Sequence, residues 1–197
     1  YNKAILEIES VPYTLVLLER YLHHENRLQE EISGYRNLIE AGYDLFWLHL
    51  LLGDALQKQG DNALAINSYN IAMELGCKDP YIYLKFFDAY MQERNYDSAI
   101  DVCNQLIMLC PDSSRAHQRL GSVLREQGDL ANALLAFQKA AEIDPDESTH
   151  HLSLGDVLKE QGDYNAAISC YSKAIELDPS NLYACENLSL LLEKDGV

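Results

Sequence analysis

Histidine is a common metal ligand and proton carrier, and three histidines in this chain, His49, His117 and His151, recur at one register. Zinc, however, needs its ligands about 2 Å from one ion, and packed helices lie roughly 8–10 Å apart. One imidazole on each of three helices is therefore a set of packing side chains rather than a ligand set. His23-His24-Glu25 and His150-His151 are neighbours in sequence, so their side chains leave a helix on different sides. Asp144-Pro145-Asp146-Glu147 is acidic but lacks the alternating oxygen spacing of a calcium loop. There is no Gly-rich phosphate loop, no His-Glu-x-x-His and no nucleophile elbow. The expectation is a protein without catalytic residues, cofactor or metal, and not an enzyme.

The five cysteines, Cys77, Cys103, Cys110, Cys170 and Cys185, are odd in number and contain no Cys-x-x-Cys. Cys103 and Cys110 are seven residues apart on one helix face, which separates their Cα atoms by roughly 10 Å at 1.5 Å per residue, too far for a bridge. They read as small buried hydrophobes in a reducing, cytoplasmic setting. With 15 basic and 31 acidic residues the net charge is −16, a field that opposes nucleic acid and anionic lipid. The longest apolar run, Leu45 to Leu52, contains His49 and falls far short of the roughly 20 residues that span a bilayer, so no membrane insertion is expected.

The elements that position these residues show in an internal repeat. Leu120-Gly121-x-x-Leu124 aligns with Leu154-Gly155-x-x-Leu158, 34 residues on. Glu126-Gln127-Gly128-Asp129 aligns with Glu160-Gln161-Gly162-Asp163, and Ala133, Phe137, Ala140 and Pro145 align with Ala167, Tyr171, Ala174 and Pro179. Further back come Leu52-Gly53-x-x-Leu56, Gly60-Asp61, Ala65, Tyr69 and Ala72, then a weaker copy with Phe87, Ala99, Cys103 and Pro111. Units therefore span 46–79, 80–113, 114–147 and 148–181. His151, Leu154, Gly155 and Leu158 follow the i, i+3, i+4, i+7 spacing of one helix face. Gly155 lets a second helix approach, Gly162 ends the first helix, Asp163 caps the second, and Pro179 lies past its end. Each hairpin buries too little alone, so the units must stack. The same phase predicts a degenerate unit over 12–45, the tail of an earlier helix over 1–11, and a capping helix or further unit over 182–197. On this reading the chain is a segment of a longer protein.

Leu-Gly-x-x-Leu, Ala-x-x-x-(Tyr/Phe)-x-x-Ala and a closing Pro on a 34-residue period resemble the tetratricopeptide repeat. The resemblance implies an all-α, right-handed solenoid of stacked antiparallel helix pairs, a superhelix whose first helices line a concave groove. It implies a scaffold that binds a peptide segment or partner helix there; the alternative is a recognition or oligomerisation arm of a larger enzyme, such as a fused transferase. The ends of such an array also allow self-association. In the family, positions two, five, nine, twelve and thirteen of each unit face the groove. Here these include Tyr13, Val16 and Arg20, then Trp47, Leu50 and Asp54, then Tyr81, Leu84 and Asp88, and finally Arg115, Gln118 and Arg125, with Arg119 beside them. The pattern suggests apolar anchoring near Trp47 and Tyr81 and an acidic group or chain terminus near Arg115 and Arg119. Two other readings stand open: the aromatics pack between helices, and the arginines pair with nearby carboxylates. The chaperone-binding clamp of some relatives is matched only at Arg115 and Arg119, since Leu50, Asp54 and Lys85 hold its other positions. The asparagine ladder of the glycosyltransferase-linked relatives is absent, its position holding Leu17, Leu51, Lys85, Arg119 and Ser153.

Overall fold

The computed structural model describes residues 28–194, which form ten α-helices and no strand. The chain divides into two compact units, 1–79 and 80–197. The first contains α1 (Leu28–Glu40), α2 (Phe46–Gln59) and α3 (Asn62–Glu74). The second contains α4 (Tyr81–Gln92), α5 (Tyr96–Leu109), α6 (Ser114–Glu126), α7 (Leu130–Ile143), α8 (Ser148–Gln161), α9 (Tyr164–Leu177) and α10 (Leu182–Lys194). The architecture is all-α, built of helix pairs.

Local chemistry sets the boundaries. Gly162 ends α8 in the left-handed region, at φ 85°, and its N–H closes the last turn onto Leu158 and Lys159 carbonyls. In 80–113 Arg94 takes this position at φ 55°, a conformation that a side chain disfavours. After three of these turns an Asx side chain caps the second helix. Asn95, Asp129 and Asp163 accept from the N–H groups of Ser98, Asn132 and Ala166. Asp61, at the same position before α3, makes no such side-chain bond.

Within a pair, the two helices meet where a ring lies on a glycine. A Cβ added to Gly121 would come within 2.7 Å of Phe137, and one on Gly155 within 2.7 Å of Tyr171; Gly53 and Tyr69 are in the same relation. The 80–113 pair inverts this. Phe87 stands at the glycine position and Cys103 at the ring position, exposed by only 3% and 2%. The large and small partners have changed helices, so the volume between the helices is kept. Burial pushes the Cys103 thiol up to about 12, as befits a filler rather than a nucleophile.

Between pairs, the second helix of one repeat shares a core with the first helix of the next. Ala133 and Phe137 pack with Leu154 and Val157, Ala167 and Tyr171 with Leu191, and Leu84 and Leu106 with Ala116. No repeat closes its core alone. In the first unit Tyr35 and Ile32 of α1 are buried, and Tyr35 donates to the buried Glu31 at 3.0 Å. The beginning of the 12–45 unit, with Tyr13, Val16 and Arg20, lies outside the described residues, as does the 1–11 segment.

The glycine contact yields a prediction. Gly121→Ala gains at most about 1 kcal/mol in helix propensity, while overpacking against Phe137 costs about 1–3 kcal/mol. The thermal midpoint followed by circular dichroism should therefore fall. Adding Phe137→Leu should cost less in the Gly121→Ala background than in the wild type.

Candidate protein-binding face

The positions that the resemblance assigns to a groove lie on the first helices of both units. In the first unit Trp47 and Leu50 of α2 are half-buried. Asp54 accepts the Tyr69 hydroxyl at 2.8 Å, with Gln57 Oε1 3.0 Å from the same hydroxyl. Asp54 is thus the partner of a core tyrosine. In the second unit Tyr81 is 51% exposed and Lys85 lies over its ring at 5.3 Å. Leu84 is a core residue, packed with Leu106 and Ala116 rather than facing solvent.

The second unit's cations are mostly engaged. Arg119 binds Asp88, one repeat back, at 2.6 Å and lies over the Phe87 ring at 5.0 Å. Arg125 reaches one repeat forward, to Glu160 at 2.8 Å and Asp156 at 3.2 Å. Burial alone would lower the Arg125 pKa; the hydrogen bond to Glu160 and the charges of Asp156 and Glu160 more than reverse this and raise it. Asp156 is buried and also accepts the Tyr171 hydroxyl at 2.8 Å. Burial first, and then that bond, push the Tyr171 hydroxyl far above its usual range. Lys159 continues the series, donating to Asn187 at 2.6 Å. Arg115 differs: it is exposed and forms no ion pair among the described residues.

Arg115 and Arg119 border a cleft of about 520 Å³ with Gln118, Glu147, Thr149 and His150. Gln118 Nε2 donates to Ser153 at 2.7 Å, which leaves its Oε1 to accept from His150 Nδ1 at 2.9 Å. His150 is therefore protonated at Nδ1, and its Nε2 lone pair is buried without a partner. Burial lowers the His150 pKa, against the opposing charges of Glu147 and Asp144.

The recurring histidines tie each first helix to its preceding turn. His117 and His151 meet the carbonyls of Pro111 and Pro145 at 3.2 and 2.8 Å, and His49 meets Asp44 at 2.7 Å. No group of three or more His, Cys, Asp or Glu side chains among the described residues could hold a metal ion. No helix among them is long and apolar enough to cross a membrane.

Sequence reasoning placed His150 and Asp156 on the first helix but gave neither a partner in another helix. A signal for each was present. Position three holds Leu48, Ile82, Ala116 and Ala184 elsewhere, so a histidine there is a polar group in an apolar place. Where a Tyr at the ring position is paired with Gly, position nine is Asp (Asp54 with Tyr69, Asp156 with Tyr171), and it is Ser122 where the ring is Phe137.

Comparison with known proteins agrees with this geometry. The family model described as "Tetratricopeptide repeat" matches residues 84–148, and the one described as "TPR repeat" matches residues 155–196, together more than half of the chain. The chain belongs to the tetratricopeptide-repeat family. It is 33% identical over 92 residues to small glutamine-rich tetratricopeptide repeat-containing protein 2 of Mycosarcoma maydis, a match that covers 47% of this chain and 26% of that protein. The chain thus spans about a quarter of the length of that relative. Among solved structures, MamA from Desulfovibrio magneticus RS-1 superposes with a TM-score of 0.74 at 20% identity, over 86% of this chain and 96% of that one. YrrB, titled a TPR protein with an unusual peptide-binding site, superposes with a TM-score of 0.70 at 18% identity, over 94% and 95%. At these identities the structures show the tetratricopeptide-repeat fold alone.

The neutral His150 yields a pH prediction. Its folded pKa lies below the ordinary 6.5, so its contribution to stability is complete above that value and is lost as pH falls through it towards the folded value. Between about pH 7.5 and pH 5.5 the thermal midpoint should drop. His150→Gln, which keeps a polar side chain without a titrating one, should drop less over the same interval.

Proposed function

We propose that this chain is a protein-binding scaffold that takes an extended partner segment along its first-helix faces, with an acidic group or chain terminus of that segment at Arg115. The observation that carries the reading is the contrast among the groove arginines. Arg119 and Arg125 are consumed in bridging neighbouring repeats, whereas Arg115 is exposed, unpaired among the described residues and on the rim of the cleft. Arginine and aromatic side chains dominate interface energetics, and Tyr81 lies exposed in the same unit. Glu147 and Asp144 also line the cleft, so a single carboxylate suits it better than a polyanion. In the first unit Trp47 and Leu50 offer apolar anchors of their own. YrrB, of the same fold, carries a peptide-binding site by its title.

The test is affinity capture from native lysate with mass spectrometry, followed by titration of the captured partner. Arg115→Glu should weaken the partner by about tenfold or more with the thermal midpoint unchanged. Arg119→Glu should instead lower the midpoint, because it breaks the bridge to Asp88. Equal affinity of wild type and Arg115→Glu would overturn the assignment of Arg115. Equal retention by a Trp47→Ala/Tyr81→Ala double variant would show that these two rings are packing residues.

A further inference from the structure

Capping a first helix does not require a charge. Ser113 caps α6, accepting from the Ala116 N–H at 3.3 Å, and Asn181 caps α10, accepting from the Ala184 N–H at 3.0 Å. Before α8 the cap is Glu147, which accepts from the Thr149 N–H at 3.2 Å and from the Thr149 hydroxyl at 3.0 Å. Ser, Thr, Asp and Asn are the side chains that this position favours. A glutamate makes the same kind of bond and adds a longer arm with a negative charge.

That charge stands in the cleft of Arg115, together with Asp144. The Thr149 N–H, and then its hydroxyl, hold the Glu147 carboxyl below the usual carboxylate range, with a smaller pull from the charge of Arg115. Glu147 is therefore ionised at neutral pH, and its two bonds to Thr149 fix its place. Neither Glu147 nor Asp144 forms an ion pair among the described residues. Arg119 is matched by Asp88, and Gln118 and His150 bind each other. The cleft thus offers one unpaired cation and two unpaired carboxylates. A lone carboxylate arriving at Arg115 would meet more negative charge than positive. The corresponding positions hold Tyr81, Cys110 and Ser113 one repeat earlier, and Thr149, Asp178 and Asn181 one repeat later, so neither neighbour repeats this set of charges.

We infer that the partner segment bound at this cleft is dipolar: it carries a Lys or Arg next to its acidic group, and that cation lies against Glu147 and Asp144 while the acid lies on Arg115. The inference rests on the reading of Arg115 as the acid-binding residue and names the second half of what that site takes. An acid alone leaves both carboxylates unmatched and is repelled by them. A base alone leaves Arg115 unmatched. An acid and a base side by side meet every unpaired charge in the cleft. Its volume of about 520 Å³ lies within the range of roughly 300–1,000 Å³ in which ligands are held.

The probes are three labelled peptides of one length, blocked at both ends, that differ only at one neighbouring pair: Glu-Lys, Glu-Gln or Gln-Lys. Binding is read by fluorescence anisotropy at physiological salt. The wild type should bind the Glu-Lys peptide about fivefold or more tighter than either of the others. Asp144→Asn/Glu147→Ser keeps a capping side chain of the Ser113 kind and should bind the Glu-Lys and Glu-Gln peptides alike. Glu147→Gln alone, which keeps an acceptor for Thr149, should already narrow the difference. Arg115→Gln should bring Glu-Lys binding down to the level of Gln-Lys. Two results would overturn the inference and leave the reading of Arg115 standing. One is equal binding of Glu-Gln and Glu-Lys by the wild type, which would make the ligand an acid alone. The other is a Glu-Lys preference that persists in the double variant, which would assign it to the acidic surface at large. Glu-Lys binding that Arg115→Gln leaves unchanged, or no binding of any of the three, would overturn both.

Discussion

A ring laid against the Cα of a glycine sets the spacing on which the rest of the helix pairs in 46–79, 114–147 and 148–181 depends. With Phe137 or Tyr171 on Gly121 or Gly155, the two helices approach more closely than any side chain at that glycine would permit. The alanines around the ring, Ala133 and Ala140 or Ala167 and Ala174, are then fully buried because little space remains for them. Where the ring on that glycine is tyrosine, Tyr69 or Tyr171, its hydroxyl reaches the first helix and requires an acceptor, which Asp54 or Asp156 supplies. Position nine is thus committed by a choice made inside the core.

The same commitment spreads from repeat to repeat. Asp156 takes the Tyr171 hydroxyl and also the Arg125 guanidinium from the preceding repeat. Arg119 with Asp88, Gln118 with Ser153 and His150, and Lys159 with Asn187 are further links between successive first helices. A chain with 15 basic residues against 31 acidic ones spends several of its cations on these links. They relieve like-charge repulsion along a stack that would otherwise oppose its own assembly. Arg115 stands out because it is left over from this use.

Much of the fold is legible in the sequence because the repeat samples one structure several times. Position by position, Gly, Ala, ring, Ala and Pro each have a steric reason, and their recurrence separates reason from accident. Asp163 as a cap and Gly162 as a terminator are local features that obey local rules. The face is less legible. Whether Arg119 meets solvent or Asp88 depends on side-chain reach and helix rotation across 31 residues, which no local pattern records. Leu84 has the register that the resemblance assigns to a groove but lies in the core, where Leu106 of the second helix and Ala116 of the next repeat close over it. His150 hides for a similar reason: its partner Gln118 belongs to another repeat.

The exchanged pair in 80–113 bears on how such an array can be rearranged over evolutionary time. Phe87 with Cys103 fills the same space as Gly155 with Tyr171, but the halves do not interchange. A recombination event that joined α4 to α9 would set two rings in one place, and one that joined α8 to α5 would leave a hole. The inheritable module is therefore the whole hairpin, with breakpoints tolerated in the turns that carry Pro111, Pro145 and Pro179 and not in those around Gly128 and Gly162.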